Sequence, residues 1–594
     1  MNITRHIVTL ALILSSATSN AALVQISPTT PDPILDAPTF ANLEALMTED
    51  FNSPFYPAWP DLTNVQGQFN NYFASDTLSL NPTDDRFMIT NMFTDIFRAP
   101  PVYQRFYAPF VNALSSDGGK TWTHLTIPTL QVPIGLGGSI SQQLGFRGYP
   151  FSYSRCGVLH SVWNYSDMHT NPPNTVPASG IYVSRSFDNG HTWSAPIFLI
   201  KGISGAFIDG TAETFTGAAY STCGILADPG NANLVHVSFN SVIYPTTLFG
   251  NVFYARSEDA GAKWSKPIQI YDMAKDPVWV AQHADHNFSP IGGQCWQVSP
   301  PLAVGNDVLL ISFLRFYPRR GSPTYDGNLA TNTVTDTAFV RSLDNGKTWS
   351  PSAAATEQFF IGFSNDPLGS PNAPFPDDGA IYRRLAVSPK TGRVYLALQA
   401  ANQNVSTDPV VFLQFPYIAL SVSSDQGATW SPYVQINRTP TDTNIIPFIN
   451  QQAFNPNIIC TQDGHLVVVY NDYRNFNAAD GFAKCDAWMD IYRETTDPKG
   501  GNTNVGLQFV KEISLTPGSF NSSVGRYNGS ILRGIGSVIG LALTKTNEVL
   551  YTINLPNQSN LPTFRDGFNN MLIDPNNRFN VFLGRVKFPR GDNR

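Results

Sequence analysis

The chain has 594 residues and a formal net charge of −7, and 42% of its residues are hydrophobic. This length can bury a large core. The low charged fraction of 14%, with 44 glycines and 45 prolines, is typical of many short strands joined by turns. An acidic chain without a lysine or arginine cluster lacks the concentrated basic surface that nucleic acid requires, which argues against that class of partner.

The first 22 residues have the order of a secretory signal peptide. Arg5 and His6 precede an apolar run over 7–14, and small residues lead to a cleavage site near residues 21–22. The run is too short to span a bilayer, and no later stretch of about 18 apolar residues occurs. We therefore expect export and no integral membrane segment after cleavage; an uncleaved anchor is the alternative. Residues 23–68 are predicted to form an N-terminal extension and residues 69–590 a single domain.

Five segments share the pattern Ser-x-Asp-x-Gly-x-(Thr/Lys)-Trp. Each follows an alternating apolar segment, so the pattern predicts a hairpin turn between two strands. In such a turn the carboxylate accepts backbone N–H groups, the glycine supplies a positive φ and the tryptophan packs on the sheet. The aspartates and tryptophans are therefore predicted to be structural, namely Asp117, Asp188, Asp259, Asp344, Asp425, Trp122, Trp193, Trp264, Trp349 and Trp430.

Two further copies of the motif, at Asp497 and Asp574, lack the tryptophan. An apolar strand lies upstream of all seven aspartates, so two markers recur together along the chain. Units of roughly 50 core residues without intervening helices are typical of propeller blades, whereas β-solenoid repeats are normally shorter. The sequence predicts an all-β fold, a β-propeller of seven blades in which the motif joins the third and fourth strands. Six blades is the alternative if the first or last unit is a partial blade.

The motif resembles the Asp-box, or bacterial neuraminidase repeat, which is found in sialidases and in many secreted propellers that are not sialidases. The resemblance covers residues 70–590 and implies a functional face opposite the Asp boxes. The long segments between second and third strands and between blades are expected to leave on that face, as at 316–335, 352–379 and 471–488.

Sialidase chemistry, as the resemblance implies it, needs three arginines for the substrate carboxylate, a tyrosine–glutamate nucleophile and an aspartic acid. The nearest match to the first arginine is Arg98, but residues 99–114 contain no aspartate for the acid. Tyr470, Asp472 and Arg474 alternate at a strand end, which places them on one side. Each arginine is equally well explained as part of an ion pair. The remaining arginine candidates stand at the start of an innermost strand or near the last blade: Arg383, Arg384, Arg526 and Arg533.

Metal and cofactor signals are sparse. His283, Asp285 and His286 could contribute ligands to a metal, although a hydrogen-bonded loop is the alternative. The five cysteines match no zinc or haem spacing, and Cys460 with Cys485 is the pair to test for a disulfide. We expect no cofactor.

The sequence therefore predicts a secreted propeller that binds a glycan or a protein on the face opposite the Asp boxes, with a glycan or glycoprotein as partner. Two alternatives remain open. One is an exo-sialidase or related glycoside hydrolase, and the other is a structural, envelope-associated scaffold.

Overall fold

The computed structural model describes residues 23–26, 72–98, 104–107, 111–126, 132–133, 139–140, 150–166, 178–203, 217–244, 248–277, 294–296, 298–318, 333–356, 359–361, 383–401, 416–441, 448–480, 484–501, 503–522, 539–556 and 579–588. The predicted signal peptide, Asp574, Arg526, Arg533 and the group His283, Asp285 and His286 lie outside these residues.

The described strands are antiparallel and form seven blades, so the predicted all-β propeller of seven blades is confirmed and the six-bladed alternative is not adopted. Strand β1 is Val24–Gln25. The first blade contains β2 (Tyr72–Leu80), β3 (Met88–Arg98), β4 (Gln104–Tyr107), β5 (Val111–Ser115) and β6 (Thr123–Thr126), and is followed by a hairpin of β7 (Val132–Pro133) and β8 (Ser139–Ile140).

The second, third and fourth blades follow in chain order. The second contains β9 (Phe151–Tyr153), β10 (Leu159–Ser166), β11 (Ala178–Ser186) and β12 (Ile197–Ile203). The third contains β13 (Gly217–Ala227), β14 (Val235–Tyr244), β15 (Leu248–Ser257) and β16 (Ile268–Asp272). The fourth contains β17 (Gln294–Trp296), β18 (Leu302–Gly305), β19 (Val308–Pro318), β20 (Thr333–Ser342), β21 (Ala353–Ala354) and β22 (Phe359–Ile361).

The last three blades complete the ring. The fifth contains β23 (Arg384–Val387), β24 (Val394–Ala401), β25 (Pro416–Ser423) and β26 (Val434–Gln435). The sixth contains β27 (Ala453–Cys460), β28 (His465–Asp472), β29 (Lys484–Glu494), β30 (Leu507–Ser514) and β31 (Phe520–Asn521). The seventh contains β32 (Leu541–Leu543), β33 (Glu548–Pro556) and β34 (Phe579–Lys587). Three short 3-10 helices are described, at Met273–Lys275, Phe448–Gln451 and Ala478–Asp480.

Both ends of the chain meet in the seventh blade. Its strand order is β32-β33-β34-β1, with Val24 opposite Leu583. The next residue, Ile26, is fully buried, and its N–H donates to the carbonyl of Val581 at 2.7 Å. The segment expected as an N-terminal extension thus contributes its residues 24–26 to the propeller.

This closure corrects the predicted place of Asp574 in the last repeat. The repeat predicts a seventh Asp-box hairpin, marked by Asp574, between a third and a fourth strand. In the chain Asp574 lies between β33 and β34, the second and third strands of the last blade, and the fourth strand is β1.

Antiparallel pairing in chain order gives the two faces of the ring different connections. Turns between first and second strands, and the Asp boxes between third and fourth strands, lie on one face, which we call the box face. Connections between second and third strands, and between consecutive blades, leave from the opposite face, the loop face.

The Asp box of the fourth blade shows how the motif makes its turn. The hydroxyl of Ser342 donates to Asp344 Oδ1 at 2.8 Å and accepts the N–H of Gly346 at 2.7 Å. The Thr348 N–H and hydroxyl donate to the same carboxylate at 2.8 and 2.6 Å. The serine–aspartate and glycine–serine bonds recur in the other four intact boxes, at Ser115, Ser186, Ser257 and Ser423. Each box thus satisfies its own backbone donors.

The same box also packs on the blade before it. Trp349 meets the ring of Tyr254, on β15 of the third blade, edge to face at 4.9 Å between centroids. Gly346 has φ of +79°, and a Cβ added there would collide with the Tyr254 hydroxyl. Arg256 of the third blade donates to the carbonyl of Asn345 at 3.0 Å. Glycine is therefore required both by backbone conformation and by close approach, and the boxes join neighbouring blades.

Candidate functional site

The loop face carries the long connections of the ring. They include residues 273–293, 362–383 and 557–578, whereas first-to-second-strand turns on the box face are as short as 306–307. Long connections gathered on one face of a rigid scaffold are the usual setting of a binding surface. Two groups of charged side chains lie beneath this face, each in the contact between two blades.

The first group, which we call the arginine cluster, consists of Asp276, Arg315, Asp336 and Ser352. Arg315 on β19 is 1% exposed and pairs in bidentate fashion with Asp336 on β20, at 2.8 Å from Nε and 2.7 Å from Nη2. Its Nη1 donates at 2.8 Å to Asp276, which follows the last strand of the third blade. Although burial opposes it, this guanidinium holds the pKa of Asp276 below its usual value. One cation is thus enclosed by two carboxylates, one from each of two blades.

Arg383 lies beside the arginine cluster. It immediately precedes β23, is 2% exposed, and donates from Nε to the Thr337 hydroxyl at 2.9 Å. Burial lowers the pKa of Arg383 to about 9, while the nearby Asp336 carboxylate opposes the shift. This predicted site residue therefore belongs to the contact between the fourth and fifth blades.

The second group, the carboxylate cluster, consists of Thr439, Tyr470, Asp472, Arg474, Trp488, Asp490 and Glu512. The carboxylate of Asp472 is fully buried and accepts Arg474 Nε at 2.6 Å and Trp488 Nε1 at 2.9 Å. Thr439, in the segment that leaves the fifth blade, donates its hydroxyl to the same carboxylate at 2.8 Å. Burial raises the pKa of Asp472 to about 6, even though Arg474 and Thr439 lower it.

Arg474 uses its whole guanidinium within this cluster. Besides the bond to Asp472, Nη1 donates to Glu512 Oε1 at 2.9 Å and Nη2 donates to the Tyr470 hydroxyl at 3.1 Å. The guanidinium carbon also lies 3.9 Å from the centre of the Trp488 ring. Such a stacked, fully bonded guanidinium is a rigid element of the scaffold.

The structure brings some of the predicted site residues together and separates others. Tyr470, Asp472 and Arg474 meet on one side of β28, as their alternation predicts. Arg383 lies in a different blade contact. Arg98 ends β3, where its backbone is paired with Gln104, and its side chain is not among the described ones.

Sequence reasoning missed the partners of these residues, which are Asp276, Arg315, Asp336, Trp488, Asp490 and Glu512. A signal was present for two of them: Arg315 and Asp490 interrupt otherwise apolar strand segments, and charged residues in such positions are buried only when paired.

Other predictions concern metals, disulfides and membranes. Within the described ranges, no group of three or more metal-ligating side chains is found. All five cysteines are free thiols; Cys460 packs in the core between the fifth and sixth blades, and Cys485 in the core shared with the seventh. None of the helices in the described part of the chain has the length and apolar character needed to cross a membrane.

No protein-family model and no curated protein matches the sequence. Among solved structures, the chain is similar to the GH93 α-L-arabinofuranosidase of Fusarium graminearum, with 12% identity, a TM-score of 0.34, and 68% of this chain and 92% of that chain covered. It is also similar to the leech intramolecular trans-sialidase, with 10% identity, a TM-score of 0.36, and 88% and 92% covered. A third similar structure is the NanB sialidase from Streptococcus pneumoniae, with 11% identity, a TM-score of 0.34, and 88% and 94% covered.

Proposed function

We propose that this chain is an exported binding propeller that recognises a glycan through its loop face. Export is supported by the signal-peptide pattern over residues 1–22. Binding through the loop face is supported by the long connections that leave the ring there, on a base made rigid by the two buried clusters.

The hydrogen bonds of the buried arginines are the observation that favours binding over hydrolysis. A sialidase-type site needs guanidinium groups that are free to hold a substrate carboxylate. Arg474 donates to Asp472, Glu512 and Tyr470. Arg315 is enclosed by carboxylates from two blades. Both guanidinium groups are occupied within the protein and support the surface above them.

The polar groups that reach the loop face suit a hydroxyl-rich ligand. Asn475 and Asn477 are exposed on the segment after β28. Arg438 is exposed as well, and its guanidinium carbon lies 4.0 Å from the centre of the Phe509 ring. Amide and guanidinium donors close to aromatic faces provide the directional hydrogen bonds that sugar hydroxyls accept.

The test is glycan-array binding of the full chain with variants matched by face. Arg438→Ala and Asn477→Ala remove exposed groups from the loop face, while Lys120→Ala and Lys347→Ala remove exposed groups from the box face. We expect roughly tenfold weaker binding for at least one loop-face variant, about the effect of losing one good charged hydrogen bond, and unchanged binding for both box-face variants.

Two results would contradict this proposal. Equal loss of binding in both sets of variants would remove the assignment to the loop face. Sustained turnover of a sialoside or arabinofuranoside by the purified chain would show a hydrolase, and turnover abolished in Arg98→Ala would place Arg98 in its site. Absence of both glycan binding and glycoside turnover would favour the structural scaffold.

A further inference from the structure

Asp490 of the carboxylate cluster is buried with an incomplete set of hydrogen bonds. It lies on β29, between β28 and β30, and none of its surface is exposed. Its Oδ2 accepts the Tyr470 hydroxyl at 2.9 Å. Its Oδ1 is buried and, within the described part of the chain, has no hydrogen-bond partner. A carboxylate in this position would leave one charged oxygen without a donor, which is costly.

The Tyr470 hydroxyl has a single proton for two carboxyl groups. Its oxygen accepts the backbone N–H of Arg438 at 3.1 Å and Nη2 of Arg474 at 3.1 Å, so both lone pairs are used. The proton then points towards Asp490 Oδ2 at 2.9 Å or Glu512 Oε1 at 3.3 Å. Because one O–H cannot serve both, these two carboxyl groups compete for it.

The charges around Asp490 leave a surplus of one negative charge if all carboxyl groups ionise. Arg474 already pairs with Asp472 at 2.6 Å and Glu512 at 2.9 Å. The second cation, Arg438, is exposed to solvent. The other titratable groups that face Asp490 are Tyr470 on β28 and Tyr492 on its own strand, and both are neutral phenols. A proton on Asp490 would balance the cluster.

We propose that Asp490 is a neutral carboxylic acid at neutral pH and that the contact between the fifth and sixth blades is a pH-sensitive lock, which loosens when this proton is lost. Ionisation would place a second negative charge beside Glu512 in a buried space. The repulsion would act on the bonds that join the blades, from Arg438 N–H to Tyr470 and from Thr439 to Asp472.

The pH range follows from the burial of the group. Burial, and then the negative charge of Glu512, raise the pKa of Asp490 to about 8. The folded value lies above the unfolded value, so between the two the native protein binds more protons than the unfolded chain. Its stability therefore falls as the pH rises from about 4 to about 8, and the loss is complete above that range.

The variant Asp490→Asn tests this inference because an amide is neutral at every pH and can still accept the Tyr470 hydroxyl. Thermal unfolding of the full chain is measured between about pH 5 and pH 9. We expect the melting temperature of the variant, relative to wild type, to rise by about 2 °C or more from the lower to the higher pH. The matched control, Asp480→Asn, neutralises an exposed carboxylate of the same blade and should keep the wild-type profile.

Two further measurements remain decisive if Asp490→Asn does not fold. The infrared spectrum of wild type at neutral pH should contain the carbonyl band of a buried protonated acid, and that band should vanish at alkaline pH. Glu512→Gln removes the neighbouring negative charge that raises the pKa of Asp490, so the band should be lost at a lower pH than in the wild type. Absence of the acid band, or identical pH profiles for wild type and Asp490→Asn, would overturn the inference.

Discussion

The arginine cluster and the carboxylate cluster occupy corresponding places in the fourth and sixth blades, with opposite charge at the centre. Arg315 lies near the loop-face end of β19, and Asp472 lies at the loop-face end of β28, each in the second strand of its blade. Each receives a group from the segment that leaves the preceding blade, Asp276 in one case and Thr439 in the other. In these two blades the same place is thus filled by a hydrogen-bonded polar contact to the preceding blade, with opposite signs of charge.

The two clusters differ in balance. Arg315, which is 1% exposed, pairs with the carboxylates of Asp276 and Asp336, and the charge of the neighbouring Arg383 balances the second carboxylate. The carboxylate cluster holds Asp472, Asp490 and Glu512 around one inward arginine, and the Arg474 side chain is 11% exposed. The arginine cluster is a buried, charge-balanced ion-pair network. The carboxylate cluster retains a titratable group, Asp490, beneath the loop face.

Replacing Arg315 should have the largest effect. Arg315→Met leaves Asp276 and Asp336 buried without their cation, and we expect a loss of about 3–5 kcal/mol in the free energy of unfolding, measured by denaturant titration. The control Lys275→Met removes an exposed ion pair with Asp272 and should change little. A loss of less than about 1 kcal/mol in the free energy of unfolding of Arg315→Met would mean that the arginine cluster contributes no more than an exposed ion pair.

Truncation of Asp472 should lower the free energy of unfolding by somewhat less than Arg315→Met does. Asp472→Ala removes the acceptor of Arg474, Trp488 and Thr439, and we expect a loss of about 2–3 kcal/mol because Arg474 keeps Glu512 and Tyr470 as partners. Asp472→Asn, which retains one acceptor oxygen, should lie between the wild type and Asp472→Ala in the same titration. Equal losses in the free energy of unfolding for Asp472→Ala and Arg315→Met would contradict the difference in charge balance between the two clusters.

The hydroxyl groups in the two clusters allow a matched comparison. Thr439 shares Asp472 Oδ2 with an arginine, and Ser352 shares Asp276 Oδ2 with an arginine, the latter at 2.9 Å. Thr439→Val and Ser352→Ala should each cost about 1 kcal/mol, the net value of one hydrogen bond. Unequal costs, outside the error of the unfolding curves, would show that the two positions are not equivalent.

The smallest effect is expected on the box face, with the opposite pH dependence to Asp490. Although burial opposes it, hydrogen bonds from Thr348 and Ser342 lower the pKa of Asp344 to about 2. The stabilisation is therefore present above the unfolded value and is lost as the pH falls from about 4 to about 2. Asp344→Asn should flatten the acid side of the stability profile, followed by circular dichroism, and leave the alkaline side unchanged. A change on the alkaline side would contradict the separation of the two faces.

The turns and the blade number were predictable because their causes are local. The hydrogen bonds of an Asp box join residues within five positions of one another, as in Ser342, Asp344 and Thr348. The glycine of the box provides the positive φ that the turn requires. The alternation of Tyr470, Asp472 and Arg474 likewise follows from strand geometry. The closing strand was not predictable from the repeat, because Val24 and Leu583 come from opposite ends of the chain.

The sequence by itself determined the all-β repeat, the seven units and the face on which each intact Asp box lies, since side-chain bonds within short turns and the period of a strand depend on neighbouring residues. Only the tertiary structure decided which charges are buried together. Arg315 meets Asp276 from the preceding blade, and Asp490 meets Tyr470 and Glu512 from neighbouring strands. The ionisation of these groups depends on their burial and on those partners, because the cost of a buried charge is set by what surrounds it in space.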